Sequence, residues 1–112
     1  MYIYKAKVLD VHDGDTITAL VDLGFHIQME IKVRFYGINA PEITGVSRLA
    51  GLKTKQRVID LISNKDITLK TYKDKQEKFG RWLADIYINE NDVKSVNQML
   101  IEEKLAVPFM VD

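Results

Sequence analysis

Two aspartates separated by a glycine, Asp13-Gly14-Asp15, begin the set of residues whose types could do chemistry. Downstream stand Arg34, Asn39, a carboxylate behind a proline at Pro41-Glu42, and Arg81 after Phe79-Gly80. Aspartates in a tight turn ordinarily bond their own backbone. A hard cation such as Ca2+ would instead need several oxygens converging from separate segments. Asp15, Asn39 and Glu42 fall at expected strand ends, where a closing barrel could gather them. Arg34 lies on the polar face of a strand, where Glu30 could pair with it, and Arg81 starts a strand as a possible exposed edge. Acting together, two planar guanidinium groups could grip a phosphate from two sides. Carboxylates for a metal, one more for a water, and two arginines are what metal-assisted phosphodiester cleavage calls for.

The elements that must position these residues follow from periodicity. Ile27, Met29, Ile31, Val33 and Phe35 alternate with polar partners, which predicts a strand over 27–36 with one buried face. Ile17 to Asp22 predicts a shorter strand, and the turn residues Asp22-Leu23-Gly24-Phe25 make the two a hairpin. Ile3 to Leu9 precedes them as a third strand, joined through the Asp13-Gly14-Asp15 turn. Pro41 cannot donate to a ladder, so the long strand ends before it. Leu49, Leu52, Val58, Ile59 and Ile62 form a helical stripe over 47–62. Two more strands are expected at Asp66–Tyr72 and Trp82–Ile88. A last helix follows with Asp92 as N-cap and Val93, Val96 and Leu100 on one face. The order β-β-β-α-β-β-α gives an α+β, mainly β chain: a five-stranded OB-type barrel with two or three helices. Parallel sheets would need helical crossovers that this order does not provide.

At 112 residues the chain fits a single domain spanning 1–112, with 46% hydrophobic and 29% charged residues. It has no cysteine, which excludes disulfide scaffolds, thiolate metal sites and a cysteine nucleophile. No apolar run reaches the roughly 18 residues of a membrane helix, so no membrane association is expected. Sixteen basic residues balance sixteen acidic ones. The middle stays positive, with six basic residues against three acidic ones between Lys65 and Arg81, enough to attract phosphates locally. Such stretches are as commonly plain solvated surface. His12 and His26 stand alone, without metal-ligand spacing.

Four segments in order resemble the signature of the staphylococcal nuclease-like (thermonuclease) family. They are Val11-His12-Asp13-Gly14-Asp15-Thr16, Val33 to Glu42 (VRFYGINAPE), Phe79-Gly80-Arg81-Trp82-Leu83-Ala84, and Val96-Asn97-Gln98-Met99-Leu100 with Leu105-Ala106. The likeness runs from about Lys5 to Ala106. It implies an OB-fold barrel and cleavage of DNA and RNA with Ca2+, breaking the 5′ P–O bond to leave 3′-phosphate ends. Carried over by residue, it implies that Asp15 and the Ala40 carbonyl ligate Ca2+, with Asp13 in the outer shell. Asn39 stands where the family has a second metal carboxylate. Glu42 would position or deprotonate the attacking water, and Arg34 and Arg81 would hold the phosphate. Lys73, Lys75, Lys78 and Phe79 are the candidate nucleic-acid contacts, and Asn97 the structural amide.

Three departures bear on activity. Asn39 keeps an oxygen but removes one negative charge, which should weaken metal binding. Phe79 retains a ring without the tyrosine hydroxyl. Met110 and Asp112 stand where the best-known member has base-stacking tyrosines, each worth about 1–3 kcal/mol per base. The expected function is a Ca2+-dependent endonuclease acting on DNA or RNA. The alternative is a nuclease-like OB module with weak or no catalysis that binds nucleic acid or protein. A monomer is expected. So is a cytoplasmic location, since Met1 to Lys7 shows no export signal, and a phage or mobile-element source would suit such a nuclease.

Overall fold

A strand twelve residues long, β1 (Tyr2–Asp13), serves two neighbours at once. In the computed structural model, residues 2–76 and 78–109 are described, apart from the side chains of 73–75. The first half of β1 pairs antiparallel with β5 (Asp66–Gln76), from Tyr2 opposite Thr71 to Lys7 opposite Asp66. From Ala6 to Asp13 it pairs with β2 (Thr16–Asp22), with register breaks between Val8 and Asp10 and between Val11 and Asp13. Such bulges bend and twist a strand, which is how one strand turns the corner of a barrel.

β2 continues in unbroken register into β3 (Gln28–Phe35), so the expected hairpin is present. A parallel pairing of Val33, Arg34 and Phe35 with Trp82, Leu83 and Ala84 of β6 (Trp82–Tyr87) then closes the ring. The closed order is β1-β2-β3-β6-β5. The fold is the anticipated α+β OB-like barrel. Its one parallel junction is reached through α1 (Arg48–Ile62), which a short 3-10 turn at Gly45–Ser47 precedes.

Val8, Ile17, Val33, Phe35, Leu69 and Ile86 fill the barrel, each essentially inaccessible. Each such side chain contributes roughly 1.5–3 kcal/mol through apolar burial. Val58 and Ile62 of α1 join this core. The predicted helical stripe is corrected at its start: Leu49 is exposed, and Gly51 and Thr54 are buried instead. The alternation at 27–36 is also only half realised. Val33 and Phe35 are buried but Ile27 and Met29 are exposed, because β3 runs on past the filled part of the barrel.

The long strand ends at Phe35, and after Tyr36-Gly37 the chain forms β4 (Ile38–Asn39) against β7 (Val107–Pro108), a pairing the periodicity gave no hint of. The last helix, α2 (Val96–Glu102), starts later than expected. Ser95 rather than Asp92 caps it, accepting the Gln98 N–H at 3.0 Å. The Asp92 carboxylate instead accepts the Asn89 N–H, and Val93 is exposed.

Asn97 ties α2 to the barrel. Its amide oxygen accepts the Ile86 N–H at 3.0 Å, and its nitrogen donates to the Tyr36 and Ala84 carbonyls at 2.9 and 3.2 Å. Asn97→Ala would leave a buried strand N–H and its carbonyl partners without these bonds. We expect a loss of about 3 kcal/mol in urea unfolding, at roughly 1–3 kcal/mol per orphaned group. A loss below about 1 kcal/mol would show that water replaces the amide.

Candidate active site

The β1–β2 turn is built without room for a side chain at its centre. A Cβ on Gly14 would stand 2.4 Å from Thr54 Cγ2 and 2.8 Å from Ala40 Cβ. Helix α1 and the segment after β4 therefore both press on the turn, which fixes the aspartates on either side. Asp13 takes the turn role: its Oδ1 accepts the Asp15 N–H at 3.0 Å. Thr54 is itself anchored by donating to the Leu105 carbonyl at 2.7 Å.

Asp15 is buried and collects its neighbours. Thr16 Oγ1 donates to its Oδ1 at 3.1 Å, and the Ala40 N–H to its Oδ2 at 2.9 Å. Arg34 Nη1 stands 3.3 Å from the same Oδ2, while Arg34 Nη2 donates to Asn39 Oδ1 at 3.3 Å. The suggested Arg34–Glu30 pair is thus replaced by Arg34–Asp15. Nor is Arg34 an exposed strand residue: β4 and the 107–109 segment fold over it, and its guanidinium lies 5.9 Å from the Phe109 ring centroid. Arg81, half-buried, donates from Nη1 to Thr16 Oγ1 at 3.3 Å. One connected set therefore joins Arg81, Thr16, Asp15, Arg34, Asn39 and Ala40.

Glu42 stands apart from this network. It is exposed, and its carboxylate takes no hydrogen bond or ion pair among the described residues. Its backbone is held: Ser47 Oγ donates to the Glu42 carbonyl at 3.0 Å, and α1 lies so close that a Cβ on Gly51 would be 2.2 Å from that oxygen. Phe79 is exposed beside Arg81, with the Arg81 guanidinium 5.5 Å and the Lys78 ammonium 5.1 Å from its ring centroid. The Lys73 and Lys75 side chains, Met110 and Asp112 lie outside the described residues.

Burial pushes the Asp15 carboxyl up to about 6. The Asp13 carboxylate adds to the shift, and the opposing pull of the Ala40 N–H and the Arg34 guanidinium does not overcome desolvation. The positive charge of Arg34 offsets the burial of this carboxylate only in part. Asp15, the Asn39 amide and the Ala40 carbonyl are an all-oxygen set, which fits a hard cation such as Ca2+ in chemical kind. The set carries little charge, however: among the described residues no three His, Cys, Asp or Glu side chains stand together.

The spacing of residues did not disclose Thr16, which links Arg81 to Asp15, nor Thr54, which braces the turn, nor that the ring of Phe109, a residue the sequence offers as a stacking aromatic, lies over Arg34. Threonine in a strand reads as a β-former, and only the folded hydrogen bonds to Asp15 and from Arg81 show what it bridges.

A small OB-like barrel with a buried Asp–Arg pair at the end of its third strand is the class of protein these features define. A family model described as staphylococcal nuclease homologue matches residues 32–112. The chain belongs to that family. No curated protein matches it.

Two substitutions check the site's construction. A folded-state pKa above the ordinary aspartate value of 3.8 means that stability is lost as pH rises from there through about 6. In metal-free buffer Asp15→Asn should therefore gain stability relative to the parent between pH 4 and pH 7. A difference that stays flat with pH would refute the raised carboxyl. Gly51→Ala, which in an open helix would stabilise by about 0.5–1 kcal/mol, should here destabilise by about 1–3 kcal/mol through overpacking. Thermal or urea unfolding reads the sign.

Proposed function

We propose that this chain hydrolyses phosphodiester bonds of DNA or RNA, with Ca2+ as its cation. The observation that carries the reading is the meeting of both arginines at one carboxylate, Arg34 directly on Asp15 and Arg81 through Thr16. Asp15, Asn39 and the Ala40 carbonyl would hold the cation, which when bound supplies a Lewis acid for a phosphoryl oxygen. Asp13 serves by keeping the turn that presents Asp15.

Glu42 has the exposed carboxylate needed to take a proton from a water. The water oxygen forms a bond to phosphorus, the bond to the 5′ oxygen breaks, and that oxygen leaves and takes a proton from solvent water, giving a 3′-phosphate end. Arg34 and Arg81 balance the charge that grows on the phosphoryl oxygens, and donors fixed in advance do this without reorganisation. Phe79, Lys78 and the lysines at 73 and 75 would receive the flanking strand, one by its ring face and the others by charge. Every residue of the set comes from one copy, so a monomer suffices for the chemistry.

One observation favours the alternative of a binding module with weak catalysis. Asn39 offers an amide already engaged by Arg34, where a carboxylate would strengthen cation binding. Cleavage of single-stranded DNA and of RNA in excess Ca2+, with EGTA as control, separates the two. The endonuclease reading expects chelator-sensitive cleavage that falls about 10²–10⁴-fold in Glu42→Gln, with the circular dichroism spectrum unchanged. Folded parent protein that binds these strands but leaves them intact at saturating Ca2+ would establish the binding module instead.

A further inference from the structure

The inward-facing alternation of the barrel does not stop where the core does. Tyr4 in β1, Val21 and then Leu23 after β2, Met29 and Ile31 in β3, Leu69 and Thr71 in β5 and Trp82 in β6 line an open cup at one end. The cup holds a cavity of about 130 Å3. Beyond it, Tyr2, Leu23, Ile27 and Met29 are half exposed and Phe25 is 95% exposed.

The hairpin tip bearing Phe25 is held in a form its sequence does not favour. The Ile27 N–H donates to the Gly24 carbonyl at 2.8 Å, and between them Phe25 and His26 have φ of 55° and 60°. Two consecutive positive φ values are what a type I′ turn requires, a place suited to Asn-Gly. A bulky aromatic there is an outlier whose natural explanation is a contact made by the ring.

We infer that this end of the barrel is a self-association surface, in which Phe25 of each of two copies enters the cup of the other. The hairpin that carries Phe25 at its tip also lines the cup through Val21, Leu23, Met29 and Ile31, so knob and hole belong to the same end of the barrel, as a two-fold interface demands. The cavity approaches the roughly 150 Å3 of an engineered apolar void that holds benzene. At about 200 Å2 for a large side chain, the exposed parts of Tyr2, Leu23, Phe25, Ile27 and Met29 amount to roughly 600 Å2 per copy. Two copies reach the roughly 1,200 Å2 at which specific interfaces begin. The balanced charge of the chain sets up no net repulsion between copies. Phe25 is itself remote from the Asp13–Asp15 turn, which lies at the other end of β2, roughly 20 Å along seven residues.

Sedimentation velocity from micromolar to millimolar protein tests the proposal, with the fluorescence of Trp82, the chain's single tryptophan, read alongside. Association with a blue shift of Trp82 is expected, and Phe25→Asn should weaken it at least tenfold. Because asparagine suits the left-handed position, that variant should unfold no more easily than the parent monomer, so the loss is not one of folding. A parent that stays monomeric throughout, or a dimer that Phe25→Asn leaves intact, would overturn the proposal. So would a monomer whose Trp82 responds instead to phosphatidylcholine vesicles, which would give the cup a different occupant. Cleavage by the Phe25→Asn variant should equal that of the parent, so this result stands apart from the test of the cleavage reading.

Discussion

A single desolvated carboxylate organises one end of this molecule. Asp15 sits where β1 hands over to β2, and burial there makes its negative charge expensive. The surroundings answer with a hydroxyl from Thr16, the Ala40 N–H and the Arg34 guanidinium, each from a different point in the chain. These contacts pull β2, β3 and the segment after β4 into one arrangement. Arg34 in turn fixes Asn39, and Thr16 reaches Arg81. Burial still leaves the Asp15 carboxyl above its ordinary range, so these contacts offset desolvation only in part.

Close backbone approach supplies the rigidity that this arrangement needs. Gly14 and Gly51 are the two places where α1 comes down on the site, one against the aspartate turn and the other against the Glu42 carbonyl. Neither tolerates a Cβ. The helix therefore acts as a template for both segments, and it is itself tied to the turn after α2 through Thr54 and the Leu105 carbonyl. Glu42 thus combines a fixed backbone with a solvent-facing carboxylate.

The barrel has two unlike ends. At one, bulges, a parallel junction and the small β4–β7 sheet bring polar groups together and cover Arg34. At the other, the strands run past the packed core and expose an apolar rim. The same period-two pattern in β3 serves both, since Val33 and Phe35 face the filled part and Met29 the rim, with Ile27 just before the strand. No described helix is long and apolar enough to cross a membrane.

Local patterning was enough for the five barrel strands, the hairpin and the barrel class but not for β4 and β7, and it singled out Asp15, Arg34, Asn39 and Arg81, which meet in one network, and Glu42, which stands outside it. These depend on side-chain period and turn chemistry, which act over a few residues and are written in the chain. It misplaced the start of the last helix because Asp92 and Ser95 are equally good caps locally, and the packing of Asn97 onto Ile86 selects the later one. It put Leu49 on the buried stripe because periodicity marks a face without saying how far along the helix the core extends. What the tertiary structure alone decided is the partnership of charges. Arg34 pairs with Asp15, nineteen positions away, rather than with Glu30, because β3 crosses β2 in a register that sets it opposite Thr16. Register and barrel closure are set by the packing of the whole core, and no local spacing of residues contains that information.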